Sequence, residues 1–573
     1  MKSKKMYEVR KIINFKDMLK QSKELFAKKL AFVKKISDGN YKNISYEELY
    51  NNVASLGTSL LKLVPEKPVV CILGENRYEW CLAYLATTNS GGVVVPMDKE
   101  LPTSEKINLI QQSNANIVIF SDKYSEEMKE IASNISTLKF FINMDLEDDN
   151  DTRLSLYKLV RKGEGLIERG DTSFEEVQVS SEEMSILLFT SGTMDNAKGV
   201  MLSQKNVCED IMSVCTTVDV KKEDSSVSIL PLHHTYQASL GFILLLYRGS
   251  TIYFNDGLRY IQKNLKEYGP TILITVPLLL ENMHKKIWEQ AKKTKGLTTF
   301  LKVAIGVTNV LRDVFKIDIK RKVFRKIHST LGGNLRLIIT GAAAIAPEVS
   351  KCFWDLGIKT LQGYGLTECA PLLIGNRDSV CRHGSIGLPI PGVDITINNP
   401  NEDGIGEILA KGPNIMLGYL INGEVDKSCF KDGWFYTGDL GYKDKDGFYY
   451  ITGRNKNVIV TKNGKNIFPE ELETKINSSP YVLESLVFGK SDEETGEVRV
   501  NAQIFPNIDA IKESLKAVVV SAEDIKKFLG DVIKNINKEI PLYKHIKEFT
   551  IRDTAFIKTT TQKIKRYKEI PKY

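Results

Sequence analysis

The sequence predicts an α/β fold in which mostly parallel sheets are covered by helices on both faces. Short apolar, β-rich runs alternate with helical patterns through the N-terminal half, the order that βαβ units produce. At 573 residues the chain exceeds one ordinary core, so at least two domains are expected. With 26% charged and 42% apolar residues the composition is globular, and no apolar run reaches the length of a membrane span.

Residues 15–37 carry apolar positions at helical spacing. The next segment, 45–63, opens on Ser45 with Glu48 three residues on and reads as a capped amphipathic helix. PVVCIL (68–73) is a strand, followed by a turn, a helix and a strand closing at Pro96; NIVIF (116–120) adds another strand. The stretch 145–180 is acidic, polar and poorly periodic, and is expected to be a loop.

That loop leads into FTSGTMDNAKGVMLS (189–203), which follows the apolar run SILLF. Gly192 and Gly199 let backbone N–H groups approach an anion, Thr190, Ser191 and Thr193 add hydroxyls, and Lys198 adds a mobile charge: a cradle for the phosphates of a nucleotide. A Walker loop does not fit. Ala197 stands where its second glycine belongs, Gly199 replaces the Mg²⁺-binding hydroxyl, and the hydroxyls precede the lysine. The plain alternative is a Gly/Ser turn between a strand and the next helix.

Residues 226–254 give strand, turn, apolar helix and strand, with His233 and His234 at the turn. The pair either contacts substrate or is hydrogen-bonded in the packing; without a carboxylate or cysteine at ligand spacing, a metal site is discounted. Residues 283–328 form a long helical insertion whose middle has apolar residues on one face between basic flanks. A helix packed on the core and a helix on a membrane surface both fit, the first being the default. The strand of 334–349 runs into Gly341, Ala342 and Ala343, small enough for the face of a purine or for tight helix packing. In KTLQGYGLTECAPL (359–372), Gln362 and Gly363 lead to Tyr364, an aromatic face between glycines, and after Gly365 come the Thr367 hydroxyl and the Glu368 carboxylate, suited to Mg²⁺ on a nucleotide.

Eight cysteines lie scattered without a CxxC pair, which argues for reduced thiols and against structural zinc. The basic start, MKSKKMYEVRK, leads into no apolar signal region, so a cytoplasmic protein is expected. The net charge of +8 is modest and Lys and Glu are mixed along the chain, a solvated surface with no nucleic-acid partner. Two places are more basic, 320–326, read as solvated lysine, and the tail from Lys563.

Taken together, TSGTMDNAKG (190–199), QGYGLTE (362–368), FYTGDL (435–440), the run 447–473 and FIKTTTQKIKR (556–566) resemble, in this order, five signatures of the adenylate-forming, AMP-binding enzymes. That superfamily includes acyl-CoA synthetases, luciferases and carrier-loading adenylation domains. The resemblance implies a large N-terminal domain of helix-covered sheets, residues 1–454, holding the ATP and acyl sites. A small mobile α+β lid, residues 455–573, would follow. It implies that a carboxylate attacks the α-phosphorus of ATP and expels pyrophosphate, after which a thiol attacks the acyl adenylate and expels AMP. Lys563 takes the position of the catalytic lysine. Thr190, Ser191, Gly192, Thr193, Met194 and Lys198 take the phosphates, with Thr190 and Glu368 on Mg²⁺. Gly341, Ala342, Ala343, Gln362, Gly363, Tyr364, Gly365 and Thr367 take the nucleotide, and Asp439 and Arg454 the ribose. Lys456 takes the hinge, and Gly464 lies on a loop entering for the thioester step.

His234 matches a position beside the acyl carboxylate, and the apolar helix after it would line the acyl pocket. The insertion, the LHHTY wording and the tail resemble long-chain fatty acyl-CoA synthetases, so ATP, Mg²⁺ and coenzyme A are expected with a medium- to long-chain fatty acid. An acyl carrier protein as acceptor remains open, as does a non-catalytic nucleotide-binding protein at a membrane surface. Peripheral contact with the inner face of the membrane is compatible with either. Two departures stand out: MDNA in the cradle, where the family commonly has a TG pair and a proline before the lysine, and Gln562, where a glycine usually precedes the last lysine. Neither removes a charged group.

Overall fold

The computed structural model describes residues 6–190, 198–460, 466–491, 498–558 and 563–570, the side chain of Tyr567 aside. The chain forms two compact units: 1–394 with 410–435, and 395–409 with 436–573.

The larger unit is built on two nine-stranded sheets. In the first, the strands Leu30–Ser37, Thr251–Phe254, Ser225–Ser228, Ile272–Thr275, Leu337–Thr340 and Lys359–Gly365 lie side by side and parallel. Antiparallel strands close both edges. In the second sheet, Met184–Thr190, Val93–Pro96, Val69–Leu73, Ile117–Phe120 and Phe140–Asn143 run parallel. It continues past Met184–Thr190 into the antiparallel strands Lys198–Ser203 and Gly418–Ile421. These strands are short and buried, as strands covered on both faces must be. The expected α/β architecture is thus observed, and the smaller unit is α+β.

The helix Tyr46–Leu63 starts where the capping signal places it: Ser45 is extended, and its hydroxyl accepts from the N–H of Glu48. The helix Tyr78–Asn89 is buried along its whole length between strands Val69–Leu73 and Val93–Pro96, which is why it carries no polar face. Two expectations are corrected. Residues 30–37 are a strand, and the helix ends at Phe26; pairing with Thr251–Phe254 and Asn40–Ser45 on either side overrides a pattern that extends the helix. Residues 145–180 are not a loop, because Leu156–Glu168 is a helix, capped by the Ser155 hydroxyl. Its buried stripe is only Leu156, Leu159 and Gly163. Gly163 lies so close to helix Tyr46–Leu63 that a Cβ would sit 1.8 Å from the Ser55 carbonyl oxygen. A face defined by a missing side chain leaves little periodicity to read.

In the smaller unit, strands Val482–Ser491 and Val498–Pro506 pair antiparallel, and Ile546–Ile551 adds to the latter in parallel. Helices Pro469–Asn477 and Ala522–Glu539 cover this sheet through Leu472, Ile476, Leu529 and Ile533. Strand Tyr449–Arg454 pairs with residues 439–443 of Trp434–Lys443.

Candidate active site

The cradle is a strand-to-strand connection. Thr190 and Lys198 are cross-strand partners in an antiparallel pair, so the helix-led phosphate geometry of a Walker loop is absent here. Ser191, Gly192, Thr193 and Met194 lie outside the described residues. Lys198 is exposed, with its ammonium 4.9 Å from the ring centroid of Tyr419, which lies on the neighbouring strand Gly418–Ile421. The Tyr419 hydroxyl in turn donates to Glu368 Oε1 at 2.7 Å. Burial, with the Glu368 charge adding to it, pushes the Tyr419 phenol well above its ordinary range, so it stays a donor. One aromatic side chain thus joins the lysine of the first signature to the carboxylate of the second.

Glu368 sits in a short 3₁₀ turn, Thr367–Cys369, held from below. Met416 N–H donates to the Glu368 carbonyl at 2.8 Å. The Asn414 amide donates to the carbonyls of Cys369 and Leu372, and to Oδ1 of Asp210, which also accepts from Leu372 N–H at 3.0 Å. Asp210 is fully buried, and burial holds its carboxyl well above the usual range. Gly365 allows the close return of the loop: a Cβ there would lie 1.8 Å from the Pro371 carbonyl oxygen.

The other first-sheet residues gather at the carboxyl ends of parallel strands, where open α/β sheets place their ligands. Thr340 and Gln362 are register partners, and a Cβ on Gly341 would lie 3.2 Å from the carbonyl oxygen of Gly363. The loop Gly341, Ala342, Ala343 therefore lies beside the strand carrying Gln362, Gly363, Tyr364 and Gly365. Ala342 has φ 71°, a left-handed conformation that costs a side-chain-bearing residue energy and concentrates at functional loops. Tyr236 ties in a third element: its hydroxyl lies 3.0 Å from the Ile339 carbonyl oxygen and 3.2 Å from that of Thr275. Around it, Thr235 Oγ1, Gln237 Oε1, Thr275 Oγ1 and Thr340 Oγ1 are buried without a hydrogen-bond partner among the described residues, a concentration that favours a polar ligand.

His234 immediately precedes the helical run that starts at Thr235 and is half-buried, its ring 4.3 Å from that of His233. His233 is buried 3.6 Å from Asp98, and burial lowers its pKa to about 3, so it stays neutral in ordinary buffers. The run passes through a π turn at Ser239–Ile243, the kind of irregularity that re-aims side chains. A small, mainly apolar cavity lies under it, lined by Thr235, Ala238, Ser239, Tyr84, Ile186 and Leu188.

In the smaller unit, Arg454 Nε lies 2.7 Å from Asp439 Oδ1 across the strand pair, with Asp439 buried and the arginine exposed. Lys456 is exposed in the 3₁₀ turn Asn455–Asn457 that follows. Gly464 lies outside the described residues. Lys563 is exposed beside the bridge between Lys558 and Ile564, and Arg566, three residues on, is anchored to Glu473 and the Val487 carbonyl.

A hard cation takes oxygen ligands. The Glu368 carboxylate and the Thr190 hydroxyl are oxygen donors of the kind that fits Mg²⁺.

A lysine-bearing hairpin, a glycine-flanked aromatic strand and a carboxylate braced beneath define a nucleotide-handling α/β protein. Sequence comparison makes this specific. Residues 19–420 match the AMP-binding enzyme family and residues 456–573 match the AMP-binding enzyme C-terminal domain, and the chain belongs to this family. Among its relatives, the long-chain-fatty-acid–CoA ligase FadD15 of Mycobacterium bovis is 25% identical over 86% of this chain and 87% of its own. Long-chain-fatty-acid–CoA ligase 5 of Rattus norvegicus is 27% identical, covering 92% and 82%. Among solved structures, the anthranilate CoA ligase AuaEII in complex with anthranoyl-AMP superposes with a TM-score of 0.75 at 20% identity, covering 97% and 96%. A Mycobacterium tuberculosis fatty acyl CoA synthetase gives 0.65 at 22%, covering 97% of each chain. At these identities the structural likenesses speak for the fold.

Proposed function

We propose that this protein converts a medium- to long-chain fatty acid and ATP to acyl-AMP and pyrophosphate, then transfers the acyl group to the thiol of coenzyme A, releasing AMP. The observation that carries the reading is the Lys198–Tyr419–Glu368 chain, which couples a phosphate-cradle cation to an oxygen ligand for Mg²⁺. The relatives' names supply the acid and the thiol.

The carboxylate substrate is already ionised at neutral pH, so attack on the α-phosphorus calls for charge neutralisation more than for a base. Lys198 holds the leaving pyrophosphate, and Lys563, carried by residues 455–573 acting as a lid, neutralises the carboxylate and α-phosphate as they approach. When bound, Mg²⁺ supplies further neutralisation of the phosphate oxygens at Glu368 and Thr190. Gly341, Ala342 and Ala343 give the adenine a flat wall, with Gln362, Gly363, Tyr364, Gly365 and Thr367 facing it. Asp439 accepts from the ribose hydroxyls, and Arg454, already paired to it, closes on the sugar. Lys456 absorbs the backbone change as the lid turns, bringing the loop of Gly464 to the thioester step.

His234 orients the substrate carboxylate. The cavity beside Ala238 and Ser239 marks the mouth of the acyl pocket. Other acceptors and roles are tested by the same reaction. A carrier-protein phosphopantetheine in place of coenzyme A would leave an adenylate that persists with CoA and clears with carrier; a non-catalytic nucleotide-binding protein would release no pyrophosphate. The substrate's chemistry also suits peripheral contact with the cytoplasmic face of a membrane, where fatty acids partition. No helix among the described residues is long and apolar enough to cross one.

The test is pyrophosphate release from the purified chain. It should require ATP, Mg²⁺ and fatty acid together, rise with chain length across a saturated series, and be followed by acyl-CoA when CoA is added. No release with any carboxylate would overturn the reading.

A further inference from the structure

We propose that the helix Leu297–Phe315 is the surface on which this protein meets an anionic lipid bilayer. The proposal rests on the peripheral contact suggested above and assigns its location. Phe300, Val303, Val307, Val310 and Val314 are each more than half exposed, and their spacing of three and four residues sets them in one stripe along the helix. At 1.5 Å per residue the stripe is about 21 Å long. A separate face of the same helix already does the folding work. Leu301, Ala304 and Thr308 are buried, the first two packed with Phe324, Cys352 and Leu356. The outward stripe is therefore a second apolar face that the fold does not use.

Charge identifies what covers it. Residues 285–326 contain thirteen Lys and Arg against three Asp and Glu, a net +10 in a chain whose whole net charge is +8. The insertion's net charge thus exceeds that of the whole chain, and the remainder is slightly acidic in net charge. Most of this charge is exposed, and among the described residues Lys292, Lys293, Lys295 and Lys302 have no ion-pair partner. A second copy of this face would bring like charge against like, whereas an anionic headgroup layer neutralises the lysines while the valines and Phe300 enter the acyl boundary. The helix also holds Lys302, Arg312 and Asp313, so it lies along an interface and does not cross it.

The test uses the full chain and sedimented vesicles of phosphatidylcholine alone or mixed equally with phosphatidylglycerol. The wild type should sediment with the anionic vesicles and be released by high salt. V303D/V310D and, independently, K292E/K293E should bind at least tenfold more weakly, with unchanged pyrophosphate release on detergent-dispersed fatty acid. Anionic vesicles that bind wild type and both variants equally would place the contact elsewhere and overturn this assignment while leaving peripheral binding standing. No vesicle binding at all would overturn both. A concentration-dependent dimer that V303D/V310D abolishes, with no vesicle binding, would assign the face to a second copy instead.

Discussion

Removing the Tyr419 hydroxyl is the most informative perturbation of the proposed site. Tyr419→Phe keeps the ring under the Lys198 ammonium and deletes only the 2.7 Å bond to Glu368. A hydrogen bond to a charged group is worth about 1.5–3 kcal/mol, and every 1.36 kcal/mol is a factor of ten in rate. If that bond holds Glu368 in the orientation adenylation needs, the variant should lose about 10- to 150-fold in kcat/KM for pyrophosphate release and need more Mg²⁺ for half-maximal rate. The assay is a double-mutant cycle with Glu368→Gln, read by pyrophosphate release over a Mg²⁺ titration. In the Glu368→Gln background the second substitution should have little further effect, because the carboxylate it orients is gone. Losses that multiply across the cycle would show that Tyr419 does not act through Glu368, and the central link of the site would fail.

Lys563→Ala should leave ATP binding intact while lowering adenylation about a hundredfold or more, the scale for losing a positioned transition-state charge; unchanged single-turnover adenylation would remove Lys563 from the chemistry. Lys456→Pro should slow thioester formation more than adenylation, and equal loss in both half-reactions would count against a hinge at that residue. Asp210 sets a pH dependence of stability. Its folded pKa is raised above the ordinary value of 3.8, so the folded state keeps a proton the unfolded chain gives up, and stability falls as pH rises above about that value. Asp210→Asn, neutral throughout, should flatten that slope, gaining on wild type between pH 5 and pH 8 in urea unfolding. An advantage that shrinks as pH rises would contradict a protonated Asp210.

Much of the candidate site could be proposed from the sequence because its residues lie close together in the chain. The strand-end glycines, Tyr364 and Glu368 are contiguous, and the structure places them against Gly341 as adjacent strand ends do. The Ser45 cap was legible for the same reason, since its signal spans four residues. What escaped was long-range or negative. Tyr419 lies in GYLI, a strand with no motif, and reaches Lys198 only because two antiparallel strands bring residues more than two hundred positions apart together. Asp210 belongs to no motif, and only the structure shows Leu372 and Asn414 donating to it. The plain turn reading of the cradle put a helix after it, whereas Lys198 begins a strand paired with the one that ends at Thr190. Helix Leu156–Glu168 was hidden by a contact that depends on Gly163 having no side chain.

The most direct test of the proposed chemistry follows the oxygen. With both carboxylate oxygens of hexadecanoate labelled with ¹⁸O, attack on the α-phosphorus forms a labelled acyl–phosphate bridge, and cleavage by the CoA thiol at the acyl carbon leaves that oxygen on AMP. Mass spectrometry should find one ¹⁸O per AMP and none in pyrophosphate. Label in inorganic phosphate or pyrophosphate, with AMP unlabelled, would mean that the acid is activated elsewhere on the nucleotide.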